Sequence, residues 1–209
     1  MPQTTAPDKP QLGGRNGDTK RPPGRPRSEA ARRAILSSTL RLLQRTGFND
    51  LCIEAIASDA NVSKATVYRW WPNKGALVVD AFSSSVRKQL QFPDTGSVYS
   101  DMSLQMNHLV EIFRSRRGQI VAALIGGGQS DPELIEAFRE RFVRPRRLEA
   151  YATLQRGVDR GELPRHTDFD LILDSLYGAI YMRFLIWKHG LTEEFIENLC
   201  RLVLGGTRL

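Results

Sequence analysis

The sequence predicts an all-α fold of about nine helices in two parts, and three observations carry that expectation. Apolar residues recur at three- and four-residue spacing from Ala30 nearly to the end of the chain. No segment alternates polar and apolar residues between hairpin turns, as half-buried strands would. Hydrophobic residues make up 41% of the 209 residues, enough to bury a core. By contrast, residues 1–27 hold Pro2, Pro7, Pro10, Pro22, Pro23 and Pro26 and almost nothing apolar, so this arm is expected to be disordered on its own.

Element by element, the first helix begins near Ser28. It carries Ala34, Ile35, Leu36, Leu40, Leu42 and Leu43 on a helical stripe and stops at Thr46-Gly47. A short second helix is expected from Cys52 to Ala60, and Asn61 suits the tight turn after it because asparagine tolerates the left-handed backbone region. Ser63 is the cap of a third helix, with Val62 and Val67 spaced as a hydrophobic staple, and Pro72 ends that helix. Asn73 caps a fourth, running from Lys74 to about Leu90. After the break Phe92-Pro93-Asp94-Thr95-Gly96, helical patterns cover about 100–116, 118–126, 131–158, 168–189 and 192–204. Gly126-Gly127-Gly128 lacks the Lys-Ser/Thr of a phosphate loop and reads as a helix end; Pro145 either kinks the 131–158 helix or divides it. There is no internal repeat.

Charge is unevenly placed. Of the net +7, residues 1–27 contribute +4 (Lys9, Arg15, Lys20, Arg21, Arg25 and Arg27 against Asp8 and Asp18) and residues 28–90 another +4, leaving −1 for residues 91–209. Such asymmetry suits a polyanion-binding front end and a near-neutral back end, although charge alone fits a solvated basic surface equally well. The organisation expected is therefore a basic arm (1–27), a small helical domain (28–90) and a larger one (91–209). No apolar run approaches the roughly 20 residues that span a bilayer, and the polar, proline-rich start lacks the apolar stretch of a secretion signal. Cys52 and Cys200 are too far apart to read as a metal pair or a disulfide scaffold. A cytoplasmic protein without cofactor or metal is expected.

The stretch Ile56-Ala57-Ser58-Asp59-Ala60-Asn61-Val62-Ser63-Lys64-Ala65-Thr66-Val67-Tyr68-Arg69-Trp70-Trp71 has the proportions of a helix-turn-helix. Ala57 lets two helices approach closely, and Val62 and Val67 can bury between them. The other face carries Lys64, Thr66, Tyr68 and Arg69, groups that hydrogen-bond phosphates and base edges. With Gly47-Phe48 before it and Lys74 and Leu77 after it, this stretch resembles the tetracycline-repressor (TetR) family of bacterial regulators, specifically over 30–80 and weakly over 100–209. The resemblance implies that the third helix enters the major groove and that the Tyr68 hydroxyl and Lys74 amine contact phosphates. Ser63, Lys64, Ala65, Thr66, Arg69 and Trp70 would lie at or near the DNA surface. Cys52 stands where the family often has a hydroxyl that caps the second helix and meets a phosphate; a buried or half-buried thiol is the reading favoured over a redox switch. Trp71 is assigned to the core between the third and fourth helices, and Trp70 either to the sugar-phosphate edge or to the domain surface.

Ahead of the first helix, Arg21, Arg25 and Arg27 lie in Gly-Arg-Pro surroundings similar to AT-hook peptides, which suits insertion into a narrow minor groove; a solubilising tail is the alternative. In the second half, Leu104, Leu109, Ile112 and Phe113 on one helix, and Leu134, Ile135, Phe138 and Phe142 on another, must be buried. The resemblance places a ligand cavity among the middle helices, with Met106, Phe113, Leu124, Phe138, Phe142, Tyr177 and Tyr181 as candidate linings. Leu171, Ser175, Gly178, Ala179 and Met182, with Phe195, Leu199 and Leu202, form a small-residue and apolar seam suited to a homodimer. An enzyme is the weaker reading, since His108, His166 and His189 are scattered without metal or triad spacing. The expectation is a DNA-binding transcriptional regulator, a repressor released from operator DNA by a small-molecule effector. The alternative is an architectural DNA-binding protein without effector.

Overall fold

The computed structural model describes residues 28–205, so the arm with Arg21, Arg25 and Arg27 lies outside the described residues. Ser28 opens helix α1 (Glu29–Thr46) by accepting a hydrogen bond from the Ala31 amide. Gly47 closes it at φ 78°, with its amide on the Leu43 carbonyl at 3.0 Å. Helix α2 (Ile53–Asp59) leads through Asn61, left-handed at φ 52°, into α3 (Lys64–Tyr68), where the Ser63 hydroxyl accepts from the Thr66 amide at 3.2 Å. The expected helix up to Pro72 is corrected: α3 ends at Tyr68. Pro72 disfavours helical geometry at Trp71, and the Trp71 indole turns inward, 1% exposed, to donate to Asp80 Oδ2 at 2.8 Å.

The Asn73 side chain caps α4 (Lys74–Val86), whose regular turns end four residues before Leu90. Gly75, Ala76, Leu77, Val78, Val79, Ala81, Phe82 and Val86 are all buried. A helix apolar on nearly every face has to be covered on every face. On one side α1 covers it; on the other lie α7 (Pro132–Phe138) and the turn that follows.

Two further helices, α5 (Val98–Arg114) and α6 (Arg116–Gly128), precede α7, and the glycine run ends α6 as expected. Helix α7 continues without a break into α8 (Arg144–Asp159) through a π-helical turn, Arg139–Val143. Of the two readings of Pro145, a kink or a division, the unbroken rod excludes the division. A proline ring clashes with the carbonyl four residues earlier, here Arg141, and the wider π turn accommodates it. Helix α9 (Phe169–Met182) ends in a second π turn, Arg183–Trp187, before α10 (Glu193–Gly205). With each π turn counted into its rod, the described residues form nine helices and no strand.

The larger half is pinned by polar contacts at its buried seams. Asp101, fully buried on α5, accepts from the Thr95 amide and hydroxyl, both at 2.7 Å, and pairs with Arg156 of α8 at 3.4 Å. A buried carboxylate persists only with such partners. Leu104, expected in the core, is 43% exposed, because α5 buries the neighbouring stripe of Met102, Gln105, Met106 and Leu109.

Two glycines of α6 give opposite expectations. A Cβ on Gly118 would collide with the Phe113 carbonyl at the α5–α6 turn, whereas one on Gly126 meets nothing within 4 Å. Gly118→Ala is expected to destabilise by at least about 2 kcal/mol, lowering Tm by about 4–8 °C. Gly126→Ala should stabilise by up to about 1 kcal/mol through helix propensity. Thermal denaturation of both variants checks the pair; Gly118→Ala at wild-type Tm would contradict it.

Candidate functional site

Buried Val67 and Ala57 seat α3 across α2, so that Lys64, Ala65, Tyr68 and Arg69 face solvent, with Tyr68 51% exposed. The Thr66 hydroxyl, on a half-buried residue, lies 3.0 Å from that of Ser63. Lys64 Nζ pairs with Glu54 of α2 at 2.5 Å, and that hydrogen bond lowers the Glu54 pKa and raises that of Lys64. Arg41 of α1 pairs with Asp59 and braces α2 from behind.

Cys52 is exposed, correcting the buried or half-buried thiol expected there. It sits in extended backbone (φ −122°, ψ 151°) between Leu51 and Ile53, which are both buried, so alternation turns it outward. Its thiol makes no capping bond. Trp70 is half-buried against the core, tilted on Trp71 at 6.1 Å, with the Arg32 guanidinium 5.8 Å from its ring. Lys74 does more than its position suggests. Its ammonium donates to the carbonyls of Phe48 (3.0 Å) and Asn49 (3.4 Å) and lies 4.6 Å from the Phe48 ring, bracing the α1–α2 loop against α4.

The second feature is a cavity of about 340 Å³ walled mostly by apolar side chains. Leu109 of α5, Ile125 of α6 and Leu90 line it, with the rings of Phe138 and Phe142 tilted on each other at 5.2 Å. Val143, Tyr177, Tyr181 and Leu185 complete the apolar wall, and Gln105, Arg146 and Arg147 are its polar members. Phe138, Phe142, Tyr177 and Tyr181 thus face the cavity. Met106, Phe113 and Leu124, also expected there, do not: Met106 and Leu124 are 0% exposed in the core, and Phe113 stacks on Phe184 at 4.0 Å outside it. Burial raises the Tyr177 pKa to about 12 and also lifts that of Tyr181, so both phenols stay protonated at neutral pH.

On the outer face of α9 and its π turn, Leu171, Gly178, Met182, Ile186 and Trp187 are exposed, and Ser175 and Ala179 are half-buried. Leu202 of α10 is 75% exposed beside half-buried Phe195. Leu199, expected on this seam, instead turns into the subunit core, because α10 buries Ile196, Leu199 and Cys200 against α5 and α9.

One connection joins the two features. The carboxylate of Asp80 on α4 takes the Trp71 indole N–H and the Arg141 guanidinium, at 2.8 and 3.2 Å. Arg141 lies on the π turn whose next two residues, Phe142 and Val143, form the cavity wall. Asn73, the α4 cap, also donates to Glu133 of α7 at 2.9 Å. Sequence periodicity offers no sign of this tether, which depends on distant residues brought together by packing.

Comparison with known proteins agrees with this geometry. Residues 35–81 match the family described as bacterial regulatory proteins, tetR family, and residues 92–203 match the tetracyclin repressor-like C-terminal domain. The chain is 40% identical to the HTH-type transcriptional regulator YdeS of Bacillus subtilis (strain 168), over 88% of this chain and 93% of that one. It is 30% identical to the DNA-binding transcriptional repressor TetR of Mycobacteroides abscessus, over 85% and 94% of the two chains. The crystal structure of the TetR family transcription regulator SCO0332 superposes with a TM-score of 0.77 at 34% identity, covering 85% of this chain and 98% of that one.

Glu54 places a carboxylate on the face that would meet DNA, where it competes with phosphate for Lys64. Glu54→Gln is therefore expected to tighten binding to any duplex and to steepen the salt dependence of log affinity by up to about 0.9 per subunit, one extra phosphate contact. Fluorescence anisotropy titrations at several salt concentrations test this, and weaker or unchanged binding would show that Glu54 positions Lys64 and does not mask it.

Proposed function

The chain belongs to the tetracycline-repressor family of helix-turn-helix transcriptional regulators, and from that premise we propose that it is a cytoplasmic homodimeric repressor, released from operator DNA when a small molecule fills its cavity. The observation that carries the release step is the π turn Arg139–Val143, which supplies both Phe142 and Val143 to the cavity and Arg141 to Asp80 on α4. A molecule that pushes on that wall pushes on the tether of the DNA-reading unit. Interfaces of packed side chains hold discrete arrangements, so a small shift at the wall is passed on as a change in the spacing of two recognition helices.

DNA recognition is divided by residue. Tyr68 and Lys74 serve phosphates and position the protein; Lys64 and Thr66 on α3, with Arg69 just past its end, reach base edges and set preference, with Ser63, Ala65, Cys52 and Trp70 at the rim. The exposed apolar face of α9 with Leu202 of α10 packs against the same face of a second copy, the isologous arrangement that places two α3 helices on one side of a duplex. The small Ser175, Gly178 and Ala179 allow close helix approach there.

Rounds of binding selection from random duplexes are expected to yield inverted half-sites with centres about 34–36 Å apart or a multiple of that spacing. Light scattering is expected to give a dimer for wild type and a monomer for Gly178→Arg, which should also bind the selected sequence more weakly. Monomeric wild type, or selection without a repeated half-site, would contradict the proposal. Once a ligand is found by screening, Arg141→Ala should reduce its effect on operator affinity by roughly three- to thirtyfold. A ligand that binds the protein yet leaves operator affinity unchanged would favour an architectural role.

A further inference from the structure

A second opening lies at the seam between the two halves, a polar cleft of about 490 Å³ that backs onto the apolar cavity across Leu90, Phe142 and Arg146, residues that line both. Four arginines border the cleft: Arg32 of α1, Arg87 at the end of α4, Arg141 of the π turn and Arg146 of α8. Among the described residues that line it, only Asp80 and Glu149 are carboxylates, which leaves two positive charges in excess. We propose that this cleft is an anion site for the phosphate group of a small phosphorylated molecule, clamped by Arg32 and Arg87 from one half and by Arg141 from the other.

The four arginines are not equally committed. Arg146 pairs with Glu149 at 2.6 Å and donates to the Leu90 carbonyl at 2.9 Å, so it supplies charge and little free hydrogen-bonding capacity. Arg141 reaches both Asp80 oxygens with one nitrogen, Nη1, at 3.2 Å, and its Nε and Nη2 remain for a ligand. Arg32 lies against the Trp70 ring at 5.8 Å, a contact with the face of the guanidinium that leaves its N–H edge open. Among the described residues, the Arg87 guanidinium meets neither a carboxylate nor any other hydrogen-bond acceptor. Like charges gathered in a cleft repel one another and focus a field that draws in an anion.

A phosphate monoester suits the three open arginines better than a carboxylate does. Its three terminal oxygens carry close to two negative charges and can be approached from three directions, as arginines on three different elements require. A carboxylate offers two oxygens in one plane and a single charge. The DNA backbone is the less suited source of phosphate, because no described residue of α2 or α3 lines the cleft and half of its arginines belong to the larger half. An anion held here ties α1 and α4 to the α7–α8 rod, reinforcing the seam that the Asp80–Arg141 pair bridges.

Titration calorimetry on the full-length protein, at constant ionic strength in chloride, compares phenyl phosphate with phthalate, a dicarboxylate of the same charge built on the same ring. Phenyl phosphate should bind once per subunit with a Kd of about 1 mM or tighter, and phthalate roughly tenfold more weakly. Arg87→Gln and Arg141→Gln should each weaken phenyl phosphate about tenfold, whereas Arg165→Gln, which removes the same charge from the exposed α8–α9 loop, should leave it within about twofold. At a tenfold excess over Kd, phenyl phosphate should raise the wild-type Tm by roughly 3–6 °C and that of Arg87→Gln by much less. Arg87→Gln gives up no contact with a described residue, so in chloride alone it should melt with wild type. Phthalate binding as tight as that of phenyl phosphate, an equal loss in Arg165→Gln, or no saturable binding of phenyl phosphate would each contradict the site. A lower salt dependence of operator binding in Arg87→Gln would assign that arginine to the duplex and overturn the proposal as well.

Discussion

Helix α4 has no face to spare, and the architecture follows from that constraint. From Gly75 to Phe82 nearly every side chain is buried, so α1 must cover one side and the α7 rod the other. Gly75 lets α7 approach closely, since a Cβ there would stand 3.0 Å from the Leu134 side chain. A helix held in this way cannot tilt without disturbing both neighbours, because packed interiors have few voids to absorb the motion. The segment that follows α3 is fastened to α4 by the Trp71 indole on Asp80, and the α1–α2 loop is fastened to it by the Lys74 ammonium. The helix-turn-helix and the larger half therefore share a spine and are not merely joined by a linker.

The two π turns give that spine something to respond to. Each widens a helical rod beside the cavity: Arg139–Val143 contributes Phe142 and Val143, and Arg183–Trp187 contributes Leu185. Such turns are rare, occur mostly as single turns inside α-helices and recur at functional sites. Here one of them carries a cavity wall and the arginine that grips α4. Opposing requirements meet at this point, because the tether rests on an ion pair of partly exposed groups, the kind that contributes only modestly to stability and is correspondingly easy to trade.

Local signals were legible wherever a residue type answers a backbone need. Ser63 and Asn73 cap the helices they were expected to cap, the first helix starts at Ser28 as expected, Asn61 adopts the left-handed conformation, and Gly47 ends α1. What depends on the rotation of one helix against its neighbours was not legible. Gln105 and Met106 are adjacent on α5, about 100° apart around its axis, and the structure turns Gln105 to the cavity and Met106 to the core. A polar residue in an apolar stripe is easily passed over as a lining candidate. Leu104 and Leu199 follow the same logic in opposite directions, one exposed and one buried, because apolar spacing marks a stripe without saying how far it extends. The Asp80–Arg141 contact spans 61 residues, and the Pro145 signal was ambiguous because a π turn and a break answer the same steric clash.

The central claim is that the cavity and the DNA face share one free energy. Linkage makes that coupling reciprocal: whatever factor a ligand takes from operator affinity, the operator must take from ligand affinity. The most direct measurement is the dissociation constant of one cavity-bound ligand, determined by titration calorimetry on the free protein and again on the protein saturated with operator. The account predicts weaker binding to the complex, by about 5- to 150-fold. Equal affinities for the free and operator-bound protein would contradict it.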